Sequence, residues 1–195
     1  MPTFLLGLLF FASPNTIGVG VLSTNIRLTL LGFIGVTTFL LPCLAIYYLY
    51  RAGCVKSLHL DYLSDRRLPY FVTTIIYAFA TYFFRIQLVP LAEIAPEIGI
   101  ILGSVTVSIG LVGLISLRWK ISAHGMGMGG FLGALFGIIV KFGENQLKYP
   151  FLIAVVLAGM LLSARLQLNA HTSAQVGGGI SLGIFVSIAT VWFFV

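Results

Sequence analysis

A polar segment near the C-terminus places an arginine and a histidine at a short spacing between two apolar runs. In SARLQLNAHTSAQVGGG, residues 163–179, Arg165 is followed six residues later by His171. An arginine guanidinium is a permanent charge whose forked donors suit phosphate oxygens. A histidine can serve as a nucleophile or as a proton carrier. Because ionisable groups beside a bilayer are costly, this pair predicts a functional site.

Two other polar segments carry groups of the same kinds. DYLSDRRLP contains Arg66 and Arg67, and RWKISAH contains Lys120 and His124. His124 and His171 each begin an apolar run, so we expect each to lie at a helix N-terminus, where free backbone N–H groups favour an anion. Two histidines with these cations and helix ends are sufficient parts for phosphoryl transfer without a metal.

The composition of the chain is that of an integral membrane protein. Of its 195 residues, 59% are hydrophobic and 8% are charged, and the mean hydropathy is +1.08. A soluble domain carries about 25% charged residues. The net charge of +6 comes from residues in short connections between apolar runs. We therefore expect lipid head groups or phosphorylated substrates as partners, and no nucleic acid.

The elements that must position these residues are membrane-spanning helices. A spanning helix needs about 20 mainly apolar residues. Seven windows of that kind are present, and they are 2–20, 28–50, 70–91, 98–117, 124–142, 149–165 and 174–195. Continuous apolar runs favour helices over the alternating strands of a barrel. The sequence predicts one all-α domain over residues 1–195, a polytopic transmembrane bundle of six to seven spans.

Counting the spans places the three polar segments on one face of the membrane. Two spans separate the segment at 51–69 from that at 118–123. Two more spans separate the segment at 118–123 from that at 166–173. The parity of these crossings predicts that the arginines and histidines meet. The face with the site carries seven basic residues and the other face four. The positive-inside rule then favours a cytoplasmic site, although four of the seven are candidate phosphate ligands.

The spacing of these motifs resembles that of the type 2 phosphatidic acid phosphatases. Arg165, five residues and His171 look like the family's third motif, S-R-x5-H-x3-D. ISAHG is similar to the second motif, P-S-G-H, with Ser122 and His124 in place, and DRRLP occupies the position of the first motif, K-x6-R-P. The resemblance covers residues 40 to 195 and implies the helical bundle of that family.

The resemblance also implies a role for each matching residue. His171 is the expected nucleophile that forms a phosphohistidine, and His124 the general acid for the departing lipid alcohol. Arg165 and either Arg66 or Arg67 are expected to hold the phosphoryl oxygens, with the backbone around Ser122. Such enzymes need no metal or cofactor. The expected substrates are phosphatidate, phosphatidylglycerophosphate, a polyprenyl diphosphate or a lipid A phosphate, and the expected location is a bacterial inner membrane. The resemblance favours an external site, whereas the bias of basic residues favours a cytoplasmic one, so the orientation is left open with a preference for the external face.

Two departures from the family pattern leave a second function open. The third motif's aspartate is Gln175 here, and the lysine of the first motif falls at Leu60, so Lys56 or Lys120 would have to supply that cation. A glutamine carbonyl can accept from an imidazole N–H and fix its tautomer, but it cannot stabilise an imidazolium with a full charge. The alternative is therefore a catalytically silent relative that binds or transports lipid phosphates.

Other motifs have simpler interpretations. GMGMGG at 125–130 follows no strand and precedes no Gly-Lys-Ser/Thr, so it predicts close helix packing instead of a nucleotide site. Asp61 and Asp65 lie four residues apart and could bind Mg²⁺, but no second acidic cluster faces them. The last apolar run, 174–195, contains no lysine, which excludes a retinal-binding photoreceptor.

Overall fold

The computed structural model describes residues 2–57 and 63–195, which form helices joined by short connections. The α-helices of those residues are α1 Pro2–Ala12, α2 Thr24–Gly35, α3 Leu41–Arg51, α4 Leu63–Tyr82, α5 Val89–Ile94, α6 Pro96–Ile115, α7 Ala123–Phe142, α8 Lys148–Gln167 and α9 Ser173–Phe194. A π-helical turn, Val36–Leu40, joins α2 to α3, and a second, Phe83–Gln87, extends α4.

Five of the predicted spans are confirmed as helices long and apolar enough to cross a membrane. They are Thr24–Arg51, Pro96–Ile115, Ala123–Phe142, Asn145–Gln167 and Ser173–Phe194. The predicted span at 70–91 lies mostly in α4, whose first turns carry Asp65 and two arginines and whose interior contains several threonines and tyrosines. These polar residues lower its hydropathy, so α4 is not among the five.

The predicted span at 2–20 folds as a short buried helix followed by turns. α1 has 11 residues and is therefore about 16 Å long, too short to cross the hydrocarbon core. Its side chains Leu6, Leu9 and Phe10 are fully buried among the other helices. After α1, the hydroxyls of Ser13 and Thr16 donate to Glu144 in the α7–α8 connection. α1 therefore packs inside one end of the bundle.

The closest helix pair in the bundle is α7 with α9, and glycines make this approach possible. A Cβ on Gly129 would lie 2.3 Å from the carbonyl oxygen of Ile180, and one on Gly183 would lie 2.3 Å from that of Met126. Such distances leave no room for a side chain. The prediction that GMGMGG serves close helix packing is confirmed, and the contact holds the N-termini of α7 and α9 side by side.

Gly129→Ala is expected to destabilise the protein. The added methyl must displace the α9 backbone, and overpacking of this kind costs about 1–3 kcal/mol. Gly159→Ala is a matched control, because Gly159 is exposed on α8 and a Cβ there meets nothing within 4 Å. Thermal unfolding in detergent should show a lower midpoint for Gly129→Ala alone. Equal midpoints for the two variants would contradict the packing role.

Candidate active site

The three polar segments meet at one end of the bundle, as the parity of the spans predicts. The backbone N–H of Ser122 donates to the carbonyl oxygen of Gln175 at 3.2 Å, which joins the start of α7 to the start of α9. The guanidinium of Arg66 donates to the carbonyl oxygen of Ile121 at 3.3 Å and thereby joins α4 to the same place. The loop that ends α8 brings His171 to this junction.

Gln175 determines which ring nitrogen of His171 carries the proton. The N–H of Thr172 donates to Oε1 of Gln175 at 3.2 Å, so this atom must be the amide oxygen. The same oxygen lies 3.1 Å from Nδ1 of His171. An amide oxygen only accepts, so Nδ1 must carry the proton and Nε2 must keep its lone pair. Within the Thr172–Gln175 capping box, the Gln175 side chain therefore leaves Nε2 as the unprotonated nitrogen of His171.

The surroundings of His171 keep its imidazole neutral. The side chain is only 7% exposed, and this burial lowers the pKa of His171 below the ordinary value of 6.5. The hydrogen bond to Gln175 acts in the opposite direction, while the positive charges of Arg66, Lys120 and Arg165 lower the pKa further. Three cations within electrostatic range of one neutral imidazole make a site suited to an anion.

The structure distinguishes between the two adjacent arginines of the first polar segment. Arg66 is buried, with 4% of its surface exposed, and it belongs to the junction described above. Arg67 is exposed. Asp65 is also buried and accepts from the backbone N–H of Lys56 at 3.2 Å. Arg66 is therefore the arginine of this segment that faces the candidate site.

Arg165 presents an unsatisfied donor. Its side chain is half-buried, and its buried Nε has no hydrogen-bond partner in the part of the chain that the structure describes. A buried guanidinium N–H without an acceptor costs free energy. An anion bound beside His171 would supply the missing acceptor.

Ser122 is the N-cap of α7, and His124 lies in the first turn of that helix. The Ser122 hydroxyl is fully buried and accepts from the N–H of Gly125 at 3.1 Å, so it caps the helix. His124 is exposed in the first turn, and the charges of Arg165 and Arg66 act on it. The first turn of α7 leaves backbone N–H groups available for an anion, while the Ser122 hydroxyl is already engaged.

A polar pocket of about 480 Å³ opens beside His171. Its lining includes Lys120, Asn169 and Thr172. Sequence reasoning missed Asn169, whose positive φ of 51° turns the chain between α8 and His171. It also missed Tyr70, on which the charges of Arg66 and Arg165 act. The signal for Tyr70 was its position one helical turn after Arg66.

The described residues contain no group of three or more histidine, cysteine, aspartate or glutamate side chains that could hold a metal ion. Asp61 of the alternative Mg²⁺ site, Leu60 at the first-motif lysine position and His59 all lie outside the described residues.

No protein-family model matches this chain, and no curated protein or solved structure is significantly similar to it. The chemistry of the site therefore has to follow from the geometry of its own residues.

The lowered pKa of His171 predicts the pH at which acid begins to slow any reaction that uses the unprotonated Nε2. The neutral form persists below pH 6.5, so the fall in kcat/KM that protonation of His171 causes should begin only below that pH. Gln175→Glu replaces the amide oxygen with a carboxylate of the same shape, which favours the imidazolium. The fall should then move to higher pH by about 1–3 units. The measurement is the pH dependence of kcat/KM for both proteins.

Gln146→Glu is the matched control for this change in charge. Gln146 is exposed in the α7–α8 connection, which lies at the other end of α7 from His124. The pH profile of Gln146→Glu should equal that of the parent. A Gln175→Glu profile that also equals the parent's would contradict the contact between Gln175 and His171.

Proposed function

We propose that this chain is an integral membrane lipid phosphatase that uses His171 as its nucleophile and needs no metal. In this proposal it is a multi-pass protein of a bacterial inner membrane, with a bundle of the type 2 phosphatidic acid phosphatase kind. The observation that carries the proposal is the state of His171. Its Nδ1 donates to Gln175, its Nε2 has no hydrogen-bond partner among the described residues, and three cations lie within range. A phosphate ester is the substrate that satisfies both features.

The first step transfers the phosphoryl group to the protein. Nε2 of His171 forms a bond to phosphorus while the bond from phosphorus to the lipid oxygen breaks. His124, as the imidazolium, donates a proton to the departing lipid oxygen and becomes neutral. Arg66 and Arg165 hold the phosphoryl oxygens, whose negative charge they neutralise, and Nε of Arg165 gains its acceptor.

The second step restores the histidine. Water gives a proton to His124 and attacks phosphorus, the bond from phosphorus to Nε2 breaks, and inorganic phosphate leaves. The phosphorylated imidazole is positively charged, and its Nδ1–H donates to the amide oxygen of Gln175, which stabilises this charge only as a dipole. A carboxylate would stabilise that charge more strongly, since triads that lose their carboxylate slow about 10⁴-fold. A neutral amide therefore predicts slow turnover.

Gln175 is also the observation that favours the second candidate function. A protein that holds His171 neutral among cations, but lacks a carboxylate beside it, would bind a lipid phosphate without cleaving it. In that case the same residues form a binding or transport site. The two functions differ in a single result, the release of phosphate.

The test is phosphate release by the purified protein from a panel of lipid phosphates in the presence of EDTA. The panel contains phosphatidate, phosphatidylglycerophosphate, a polyprenyl diphosphate and a lipid A phosphate. Release in EDTA is the expected result. Binding without release by the folded protein would favour the silent relative, and release that EDTA abolishes would overturn the metal-independent mechanism.

A further inference from the structure

Three exposed cations lie at one corner of the face that carries the candidate site, but they do not line the pocket beside His171. They are Arg51 at the end of α3, Lys56 in the connection that follows, and Arg67 near the start of α4. None of these three side chains has a hydrogen bond or an ion pair with the residues that the structure describes. They are therefore available to a partner outside the protein.

Three cations at the opposite end of the bundle, by contrast, are engaged within the protein. Arg27 donates to three backbone carbonyl oxygens between residues 10 and 22. Lys141 donates to two carbonyl oxygens in the last turn of α9, and Arg85 donates to the carbonyl oxygen of Pro96 at 3.5 Å. At the corner with the exposed cations, only Arg51 has a local role, because a cation in the last turn of a helix offsets the helix dipole.

The local fold holds the exposed cations close together. Gly53, with a φ of +73°, ends α3 in the left-handed conformation that is typical of a helix C-terminus. The next part of the chain turns back into the protein, where Val55 is 2% exposed. The backbone N–H of Lys56 then donates to Oδ2 of Asp65 at 3.2 Å, two residues before Arg67. This bond joins the connection after α3 to the first turn of α4.

The same corner carries exposed aromatic rings and little negative charge. Asp65 is buried, with 6% of its surface exposed, so the described residues present no acidic side chain to solvent there. Tyr47, Tyr48 and Tyr50 of α3 are 53%, 72% and 40% exposed. Tyrosines at the end of a spanning helix mark the head-group level of a bilayer. Because α3 completes the span Thr24–Arg51, the cations lie at that level as well.

We propose that Arg51, Lys56 and Arg67 form a binding surface, the basic corner, for anionic phospholipids of the surrounding leaflet. The ligand is a phosphodiester head group with a negative charge, such as that of phosphatidylglycerol, which carries no terminal phosphate for the proposed reaction to remove. A lipid is favoured over an acidic soluble protein because the tyrosines place the basic corner among head groups. The basic corner is separate from the pocket beside His171, so this proposal does not rest on the proposed function.

The experiment uses the full chain in phosphatidylcholine nanodiscs that contain a phosphatidylglycerol probe with a photoreactive head group. Lys56→Gln combined with Arg67→Gln removes two charges from the basic corner. Arg118→Gln combined with Lys148→Gln is the matched control, because it removes one arginine and one lysine from exposed positions outside the basic corner. Lys56→Arg combined with Arg67→Lys keeps the charge. Thermal unfolding checks that each protein is folded, and mass spectrometry locates the cross-links.

In the parent, the cross-links should map to residues 47–57, and unlabelled phosphatidylglycerol should compete where phosphatidylcholine does not. Removal of the two charges should lower the yield at least about fivefold, since a single cation near the surface contributes about that factor. The control and the charge-retaining variant should stay within about twofold of the parent, as contacts with screened or preserved charges do. Salt at about 1 M should lower the parent's yield, because the Debye length falls to about 3 Å.

Two kinds of result would overturn the basic corner. Equal losses in the charge-removing variant and in the control would show that general positive charge attracts the lipid. A folded parent without cross-links at residues 47–57, or with equal competition by the two lipids, would show that no anionic lipid binds there. Because no readout requires phosphate release, failure of the basic corner and failure of the proposed phosphatase are separate results.

Discussion

His171→Ala should lower kcat for phosphate release from the preferred lipid by at least about 10⁴-fold. The variant keeps the cations and the first turn of α7, so it should still bind the lipid phosphate. It loses Nε2, the atom that forms the bond to phosphorus in the proposed mechanism, and no other described side chain shares the Gln175 oxygen that holds the His171 ring. The measurement is steady-state phosphate release under the conditions in which the parent is active.

Two other histidine variants are controls for this result. His124→Ala should lower kcat by about 10²–10⁴-fold, the usual contribution of a general acid. His59→Ala should retain the parent's rate, because His59 has no spacing partner among the polar motifs. Thermal unfolding should show that all three variants are folded. A folded His171→Ala variant that releases phosphate at the parent's rate would refute the role of His171.

Arg165→Ala should lower kcat/KM by about 10²–10³-fold, as the loss of one preorganised donor to a developing charge does. The reason is the buried Nε, which has no acceptor among the described residues until an anion binds. Arg165→Lys should recover only part of the loss, since an ammonium lacks the planar fork of donors. The measurement is the dependence of phosphate release on lipid concentration.

Arg118→Ala is the matched control for Arg165→Ala. Arg118 is exposed in the connection between α6 and α7, so its removal changes the net charge by the same amount without opening the site. Its kcat/KM should stay within about twofold of the parent's, since an exposed charge is well screened. Equal losses in the two variants would mean that general positive charge, and no specific contact of Arg165, supports the reaction.

The proximity of Arg165 to His171 was predictable from the sequence because it depends on local spacing and on the number of crossings. The choice between Arg66 and Arg67 was not, because adjacent residues of a helix point in different directions and only the packing of α4 decides which one is buried. The capping role of the Ser122 hydroxyl follows from its position before α7, whereas the family resemblance implied that this residue contacts phosphate.

The interior of the bundle was the least predictable part. Residues 2–20 have the hydropathy of a span, yet the helix ends at Ala12 and α1 packs inside the bundle. Which residues of α6 and α7 face the interior depends on how these helices are rotated about their axes. Periodicity in these helices is weak because nearly all of their residues are apolar, so the sequence does not specify their buried faces.

The most direct test of the account is to trap the phosphorylated intermediate. The parent protein is mixed with its preferred lipid phosphate, denatured in alkali, where phosphohistidine survives, and digested for mass spectrometry. The account predicts a phosphoryl group on His171 in the parent, none in His171→Ala, and accumulation in His124→Ala if the second step slows more than the first. Phosphate release by the parent with no phosphohistidine, or with the phosphoryl group on another residue, would contradict it.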